Sequence, residues 1–424
     1  MLAAMALAAT LGDCVPMRWS GAQPLEVLEG SGVSCLLVEE AQWGLAGEAR
    51  RRGFRVLAVA RTEEQGKRAA GLAVDAIVVE GGAPRPVTEK PVISLGARRA
   101  LRFDGGDAVV GTVEAVWPGI EIEHGGPKTA APTGSAWIHT NTGFLRFVRA
   151  VAKVPFWVGN VPAAGTAWTA ARYAQAVADA AAAGARWVLA FDAKFPVEEW
   201  KRVFEVVRFY EAHGEWRRMK PWAEVAIVQD EANGGLVTGS LLDMLAVMNT
   251  PVRAVPGREL SAVSMAGTKV TVTVDERAYT AAQREAIARH GGKVVSGPAG
   301  WKMPEVGEGR ITFDRAQYKE LEAIWPELHQ AVQRKNFGVR MFNVAGVLTY
   351  LLRDERGVVL EAVNYTDYAV ENITAFVQGK YGSAEWVEPG SAPRKLRTYE
   401  APDGTAVEIE RVGVCGAVVL TPIK

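Results

Sequence analysis

The chain has 424 residues, 49% of them hydrophobic, and its 48 basic residues balance its 48 acidic residues. This composition is typical of a globular protein of several domains, and neutrality gives no electrostatic argument for a nucleic-acid or membrane partner. We expect neither partner, and no apolar run approaches the roughly 20 residues of a membrane span.

The chain begins with a short apolar segment over residues 1–12, which has no preceding Lys or Arg and no clear cleavage site. We interpret it as a first helix of a cytoplasmic protein, with a degenerate export signal as the alternative. Three cysteines, Cys14, Cys35 and Cys415, form an odd and sparse set, which predicts reduced, buried thiols. The five histidines lack the spacing of zinc ligands, so we expect no metal and no cofactor.

The first half of the chain alternates between short apolar runs and helical patterns closed by glycine. The predicted strands are residues 14–18, 33–39, 54–60, 76–80, 91–95, 108–114, 155–160 and 186–192. Eight such strands predict an α/β fold in which a parallel sheet closes as a compact (β/α)8 TIM barrel. The alternative is a doubly wound open sheet, but residues 18–21 lack the glycine-rich phosphate loop expected after its first strand. Residues 96–142 are expected to form a long loop over the barrel.

The second half of the chain predicts two smaller domains. Residues 224–297 carry an α/β pattern of flavodoxin-like type, and a charged helix over residues 314–335 follows. The apolar segment 344–352 predicts a helix, after which period-two alternation and turn signals indicate a small antiparallel β-sandwich. The predicted domains are a barrel (1–218), a flavodoxin-like α/β domain (219–310), a helical linker (311–340) and a C-terminal β-sandwich (341–424).

Polar residues directly follow several of the predicted barrel strands, where parallel α/β enzymes collect their chemistry. Paired carboxylates at this place can serve as general acid and as nucleophile or base. We predict Glu80 as general acid, Asp192 as its carboxylate partner and Glu114 as the reserve for either role. The alternative for each residue is that it only caps the following helix.

Other residues near these strand ends are predicted to bind the substrate. Arg18 and Trp19 end the first strand, Glu39 the second and Asn160 the seventh. Trp117, Trp137 and His139 lie in the predicted long loop, where exposed aromatic rings would stack on sugars. Packing of that loop against the protein is the alternative, as is simple stacking of Arg18 on Trp19.

The order of these parts resembles that of the multi-domain β-galactosidases and related glycoside hydrolases. In those enzymes a cysteine-free flavodoxin-like unit follows the barrel and serves trimerisation, which implies assembly of a homo-oligomer for this chain. Residues 280–297, with a helix, Gly291-Gly292 and a strand, resemble the end of that unit, and Val363-Asn364-Tyr365 resembles the start of their C-terminal β-domain. Those enzymes carry Asn-Glu after the fourth strand and Glu after the seventh, where this chain has Val79-Glu80 and Asn160.

The sequence therefore predicts a glycoside hydrolase that acts on an oligo- or polysaccharide. A second hypothesis is a catalytically degenerate barrel that binds carbohydrate or serves assembly. A third, a barrel enzyme for phosphorylated metabolites, has only Lys194 near the last two strands in its favour.

Overall fold

The structure is a computed structural model of the chain. It describes residues 11–98, 101, 103, 106–119, 138, 140–229, 242, 244–273, 279–296 and 315–423. The chain divides into two compact units, one of residues 1–131 and 151–213 and one of residues 132–150 and 214–424. None of the described helices is long and apolar enough to cross a membrane.

The first unit is a parallel eight-stranded barrel, as the sequence predicts. Its strands are β1 Pro16–Trp19, β2 Cys35–Val38, β3 Arg55–Ala60, β4 Ala76–Glu80, β5 Val92–Gly96, β6 Val109–Thr112, β7 Phe156–Val158 and β8 Arg186–Trp187, paired in chain order. A parallel bridge between Met17 and Leu189 joins the two ends of the sheet. The amide of Arg18 donates to the Leu189 carbonyl at 2.7 Å, and the Leu189 amide donates to the Pro16 carbonyl at 3.0 Å.

Helices follow several of the barrel strands, and two of these helices begin at a side-chain cap. The α-helices among the described residues of this unit are α1 Ala46–Arg51, α2 Glu63–Ala70, α4 Ala170–Ala182 and α5 Val197–Ala212. Thr62 and Thr169 begin α2 and α4, each with a hydroxyl that accepts from the amide three residues on. Helix α3, Thr142–Val151, follows β6 along the chain, but residues 142–150 belong to the second unit.

Alternate residues of the barrel strands fill the interior of the barrel. This core includes Leu37, Leu57 and Val59, Val78, Ile93 and Leu95, Trp157 and Val188. Successive strand residues face opposite sides, so a residue two positions beyond an inward-facing one is directed to the same side.

The expectation of reduced thiols is wrong for two of the three cysteines. Cys14 and Cys35 form a disulfide with a Cα–Cα distance of 5.6 Å, inside the barrel core. The pairing of Pro16 with Cys35 across β1 and β2 explains the contact, since Cys14 lies two residues before Pro16. Cys415 is buried and lies outside the disulfide, as predicted.

The second unit contains a parallel four-stranded sheet. Its strands are β10 Val225–Gln229, β11 Val252–Pro256, β12 Val270–Thr273 and β13 Lys293–Ser296, in the spatial order β11-β10-β12-β13. This is the strand order of flavodoxin-like folds. Helices α6 Ala281–His290 and α7 Arg315–Val332 accompany it, and Ile324, Leu328 and Val332 of α7 pack into its core.

Two antiparallel sheets complete this unit and form a sandwich. One contains β14 Val339–Phe342, β17 Val370–Gln378, β21 Gly404–Val412 and β20 Thr398–Ala401. The other contains β19 Arg394–Lys395, β18 Tyr381–Val387, β22 Cys415–Pro422, β16 Gly357–Asn364, β15 Val347–Asp354 and β9 Lys220–Pro221. The helix predicted over residues 344–352 is therefore wrong, because this apolar run is β15, buried through its pairing with β16.

A buried carboxyl lies in the sheet of β15 and β16. Glu361 is 1% exposed, and its Oε2 accepts no hydrogen bond from the described residues. Burial raises the pKa of Glu361 to about 8, against the opposing charges of Arg149 and Arg217. Arg149 directs its Nη2 to three backbone carbonyls of residues 216–219 instead, at 2.7 to 3.3 Å.

The first prediction concerns Glu361 and pH. The folded protein keeps the Glu361 proton up to about pH 8, whereas the unfolded chain releases it near its ordinary value of 4.5, so stability falls as pH rises between these values. Glu361→Gln cannot lose a proton. Its free energy of unfolding relative to wild type should therefore increase as pH rises from 5 to 8, by at most about 1.4 kcal/mol per pH unit. Thermal melting of both proteins across this range measures the difference. Glu371→Gln, at an exposed position of β17, is the control, and a difference independent of pH would contradict the prediction.

The second prediction concerns the thiols. Protein purified without reductant and then unfolded should show one reactive thiol, that of Cys415, and three after reduction. Thiol titration with a chromogenic disulfide reagent measures both numbers. Three reactive thiols before reduction would contradict the pairing of Cys14 with Cys35.

Candidate active site at the barrel mouth

The carboxyl ends of the eight barrel strands, here called the barrel mouth, carry most of the residues predicted for function. The pairing of β1 to β4 in order places their ends side by side. Arg18 lies in β1, Glu39 follows β2, Arg61 follows β3, and Glu80 ends β4. Because Ala60 pairs with Val79, the next residues on these strands, Arg61 and Glu80, are neighbours.

These four side chains form a closed set of ion pairs, here called the mouth network. Arg18 binds Glu39 through Nη1 at 3.2 Å and binds Glu80 Oε1 through Nη2. Arg61 binds both oxygens of Glu39, with Nη2 at 2.7 Å from Oε1, and the same Nη2 lies 2.9 Å from Glu80 Oε2. Each guanidinium therefore binds both carboxylates, and the four charges cancel.

Burial in the mouth network is uneven. The Glu80 side chain is 4% exposed and that of Arg18 16%, whereas Glu39 and Arg61 are 39% and 47% exposed. Hydrogen bonds to Glu39 raise the pKa of Arg61, with the charge of Glu80 adding to them and partial burial opposing. Glu80 is thus the buried member of the network, with both carboxylate oxygens bound by guanidinium groups, while Glu39 and Arg61 face solvent.

The structure brings together two carboxylates that the sequence did not pair. Glu39 Oε1 and Glu80 Oε2 bind the same nitrogen of Arg61, at 2.7 and 2.9 Å, so they lie no further apart than the sum of these distances. That limit is comparable with the separation of about 5 to 5.5 Å in retaining glycosidases. Here, however, an arginine connects the two oxygens.

Arg61 was missed as a site residue. Its signal is positional, since it lies two residues after the inward-facing Val59 and directly follows β3. Alternation along the strand therefore directs its side chain towards the mouth.

Asp192 lies at the same side of the mouth as Arg18. It follows Leu189, whose bridge to Met17 joins the end of the sheet to β1. Its Oδ1 accepts from the Lys194 amide at 2.9 Å, and its own amide donates to the Tyr173 hydroxyl at 2.9 Å. Asp192 thus holds a turn, while Oδ2 accepts no hydrogen bond from the described residues and the side chain is half-buried. No described hydrogen bond or ion pair joins Asp192 to Glu80.

The remaining two polar strand ends bind neighbouring loops. Glu114 is exposed, and its Oε2 accepts from the Arg98 amide at 2.8 Å, which joins the segments after β5 and β6. Asn160 donates from Nδ2 to the Ala115 carbonyl at 2.7 Å, which joins the segments after β6 and β7. Neither is part of the mouth network.

The expected exposure of Trp117 is wrong, and Trp19 is buried as well. Trp117 is 5% exposed, and its ring lies 4.2 Å from Trp168 and 5.0 Å from Trp187 between ring centroids. Trp19 is 3% exposed and packs edge-on against Trp200 at 6.4 Å. Both rings are buried by packing against other aromatic side chains. Trp137 and His139 lie outside the described residues.

Tyr173 joins this aromatic cluster to the mouth. Its ring contacts Phe191 edge-on at 4.9 Å and Trp117 at 5.5 Å, and its hydroxyl accepts from the Asp192 amide. Burial raises the pKa of Tyr173, so the hydroxyl stays protonated in its hydrogen-bonding role. The cluster fixes the backbone of Asp192 from beneath.

Comparison with solved structures identifies the architecture. α-L-Fucosidase isoenzyme 2 from Paenibacillus thiaminolyticus is similar with a TM-score of 0.64 and 10% identity, over 94% of this chain and 96% of that one. A β-galactosidase from Bacillus circulans sp. alkalophilus is similar with a TM-score of 0.56 and 10% identity, over 98% and 97% of the two chains. This chain shares the fold of these structures, a TIM barrel followed by further domains.

The likeness to these TIM-barrel glycoside hydrolases is one of fold. A catalytic mutant of a GH42 β-galactosidase from G. stearothermophilus also aligns over 97% of this chain and 98% of that one, with a TM-score of 0.55 and 10% identity. No protein-family model and no curated protein matches the sequence. The likeness therefore supports the fold, whereas the function has to be argued from the residues at the mouth.

Proposed function

We propose that this protein is a glycoside hydrolase acting on an oligo- or polysaccharide at the barrel mouth. The observation that carries the proposal is the buried carboxylate Glu80 at the end of β4, at the same barrel mouth as Asp192, which follows β8. Fold likeness to glycoside hydrolases along nearly the whole chain supports it.

The surroundings of Glu80 favour a different role from the general acid predicted from the sequence. Guanidinium groups bind both of its oxygens, and a carboxylate held in this way suits a nucleophile or an electrostatic stabiliser of an oxocarbenium ion. Asp192, half-buried with Oδ2 accepting no described hydrogen bond, is then the candidate proton donor. Glu114 remains the reserve for either role.

The third prediction tests these assignments. Glu80→Gln and Asp192→Asn should each lower kcat on aryl glycosides by at least about 100-fold, because each removes one half of the acid–nucleophile pair. Initial rates over a panel of neutral and acidic glycosides measure the effect, and thermal melting shows that each variant is folded. Glu63→Gln, in an exposed pair with Lys67 on α2, is the control and should keep wild-type activity. Wild-type rates in both mouth variants would overturn the assignment.

A second candidate function is carbohydrate binding without turnover. It is favoured by one observation, that both oxygens of Glu80 are bound by arginines and so are not free to attack a sugar. Calorimetric titration with oligosaccharides, combined with a reducing-sugar assay, separates the two candidates. Saturable binding without release of reducing ends supports binding alone.

The proposal also covers the compartment in which the protein acts. The sequence favours a cytoplasmic protein, but the disulfide between Cys14 and Cys35 favours an oxidising compartment, since such bonds are rare where thiols are kept reduced. We propose the exported alternative on this ground, and the thiol titration described above tests the disulfide on which it rests.

A further inference from the structure

The outer half of the mouth network has the form of a carboxylate-binding site occupied by the protein's own side chain. Arg61 directs both Nη1 and Nη2 at Glu39, and Arg18 adds a third bond to Glu39 Oε1 at 3.2 Å. The planar fork of a guanidinium matches any carboxylate in this way, whether it comes from the protein or from a ligand.

The two carboxylates of the network differ in how firmly they are held. Glu80 is almost fully buried, whereas Glu39 and Arg61 are 39% and 47% exposed. Exposed ion pairs contribute little to stability because water competes for both partners. A ligand can therefore displace Glu39 far more readily than Glu80.

The backbone at Glu39 also permits this displacement. Glu39 is the first residue after β2 and precedes a short helical turn, Glu40–Leu45. Its side chain can rotate into solvent while β2 keeps its pairing with β1 and β3. The remaining network then has two guanidinium groups against one carboxylate, a net positive charge at the mouth, where barrels bind their ligands.

We propose that the ligand of this mouth is an acidic sugar, a uronic acid residue of an oligosaccharide, whose carboxylate replaces Glu39 on Arg61 and Arg18. The inference rests on the proposed carbohydrate function and adds the substrate class. A carboxylate in this position shares Arg61 with Glu80, so it places the sugar ring beside the candidate nucleophile. Glu39 then acts as a competitor that keeps the site neutral until the ligand arrives.

The fourth prediction compares acidic oligosaccharides with uncharged counterparts of the same sugar. The probes are trimers of galacturonate and glucuronate and their methyl esters, titrated calorimetrically into the full-length protein. The acids should bind at least about 10-fold more tightly than the esters, and about 1 M salt should remove the difference, since salt screens exposed charges.

Variants assign the effect to the network. Glu39→Gln removes the competing carboxylate and should tighten binding of the acids about 10-fold, whereas Arg61→Gln should weaken it at least as much. The matched controls are Glu40→Gln and Arg68→Gln, which break a neighbouring exposed ion pair and should leave binding unchanged. Arg61→Gln and the salt dependence of wild type keep the test decisive even where Glu39→Gln does not fold.

The outcomes separate this inference from the function on which it rests. Equal binding of acids and esters overturns the acidic-sugar inference and leaves the carbohydrate function standing. Absence of binding for every oligosaccharide, acidic and neutral, overturns both. Tighter binding of the acids that is unchanged in Arg61→Gln shows that the carboxylate binds elsewhere and overturns the inference as well.

Discussion

Closure of the parallel sheet at Met17 and Leu189 determines what the rest of the first unit can do. The bond from the Arg18 amide to the Leu189 carbonyl joins the segment after β8 to β1. Polar residues on β1 to β4 and after β8, which are far apart in sequence, thereby share one arc of the mouth. Without this closure the segment after β8, which holds Asp192, would lie at the opposite edge of an open sheet from Arg18 in β1. The site is thus a consequence of backbone hydrogen bonding before any side chain is considered.

The mouth network then limits the chemistry available on that arc. Within the network, Glu39 and Glu80 each have two arginine partners, Arg18 and Arg61. The network therefore distinguishes Glu39 and Glu80 from other carboxylates that look equivalent as strand ends.

Local hydrogen bonds explain the Asn364-Tyr365 motif of the C-terminal sandwich, which resembles a motif of the β-galactosidases. Asn364 is 1% exposed, and its Nδ2 donates to the carbonyls of Tyr368, Val412 and Gly413. Its Oδ1 accepts from the amide and hydroxyl of Thr366. An amide at this strand end both donates and accepts, and so binds five polar groups of the turn and its neighbours, which a carboxylate or an apolar residue could not do. The Asn-Tyr pair is thus explained by the folding of this turn.

The sequence by itself determined the number and order of the barrel strands, the flavodoxin-like unit and most of the sandwich, because hydrophobic periodicity and glycine or threonine boundaries act over a few residues. It also identified Arg18, Glu39 and Glu80 as strand-end residues. Tertiary structure alone decided which strand ends meet, and with them the pairing of Cys14 with Cys35, the membership of Arg61 in the mouth network and the burial of Trp117. The same holds for β15, where an apolar run fits a buried helix or strand equally well until β16 pairs with it. Local patterns specify elements, but partners depend on strand register and barrel closure, which join residues distant in the chain and leave no local signal.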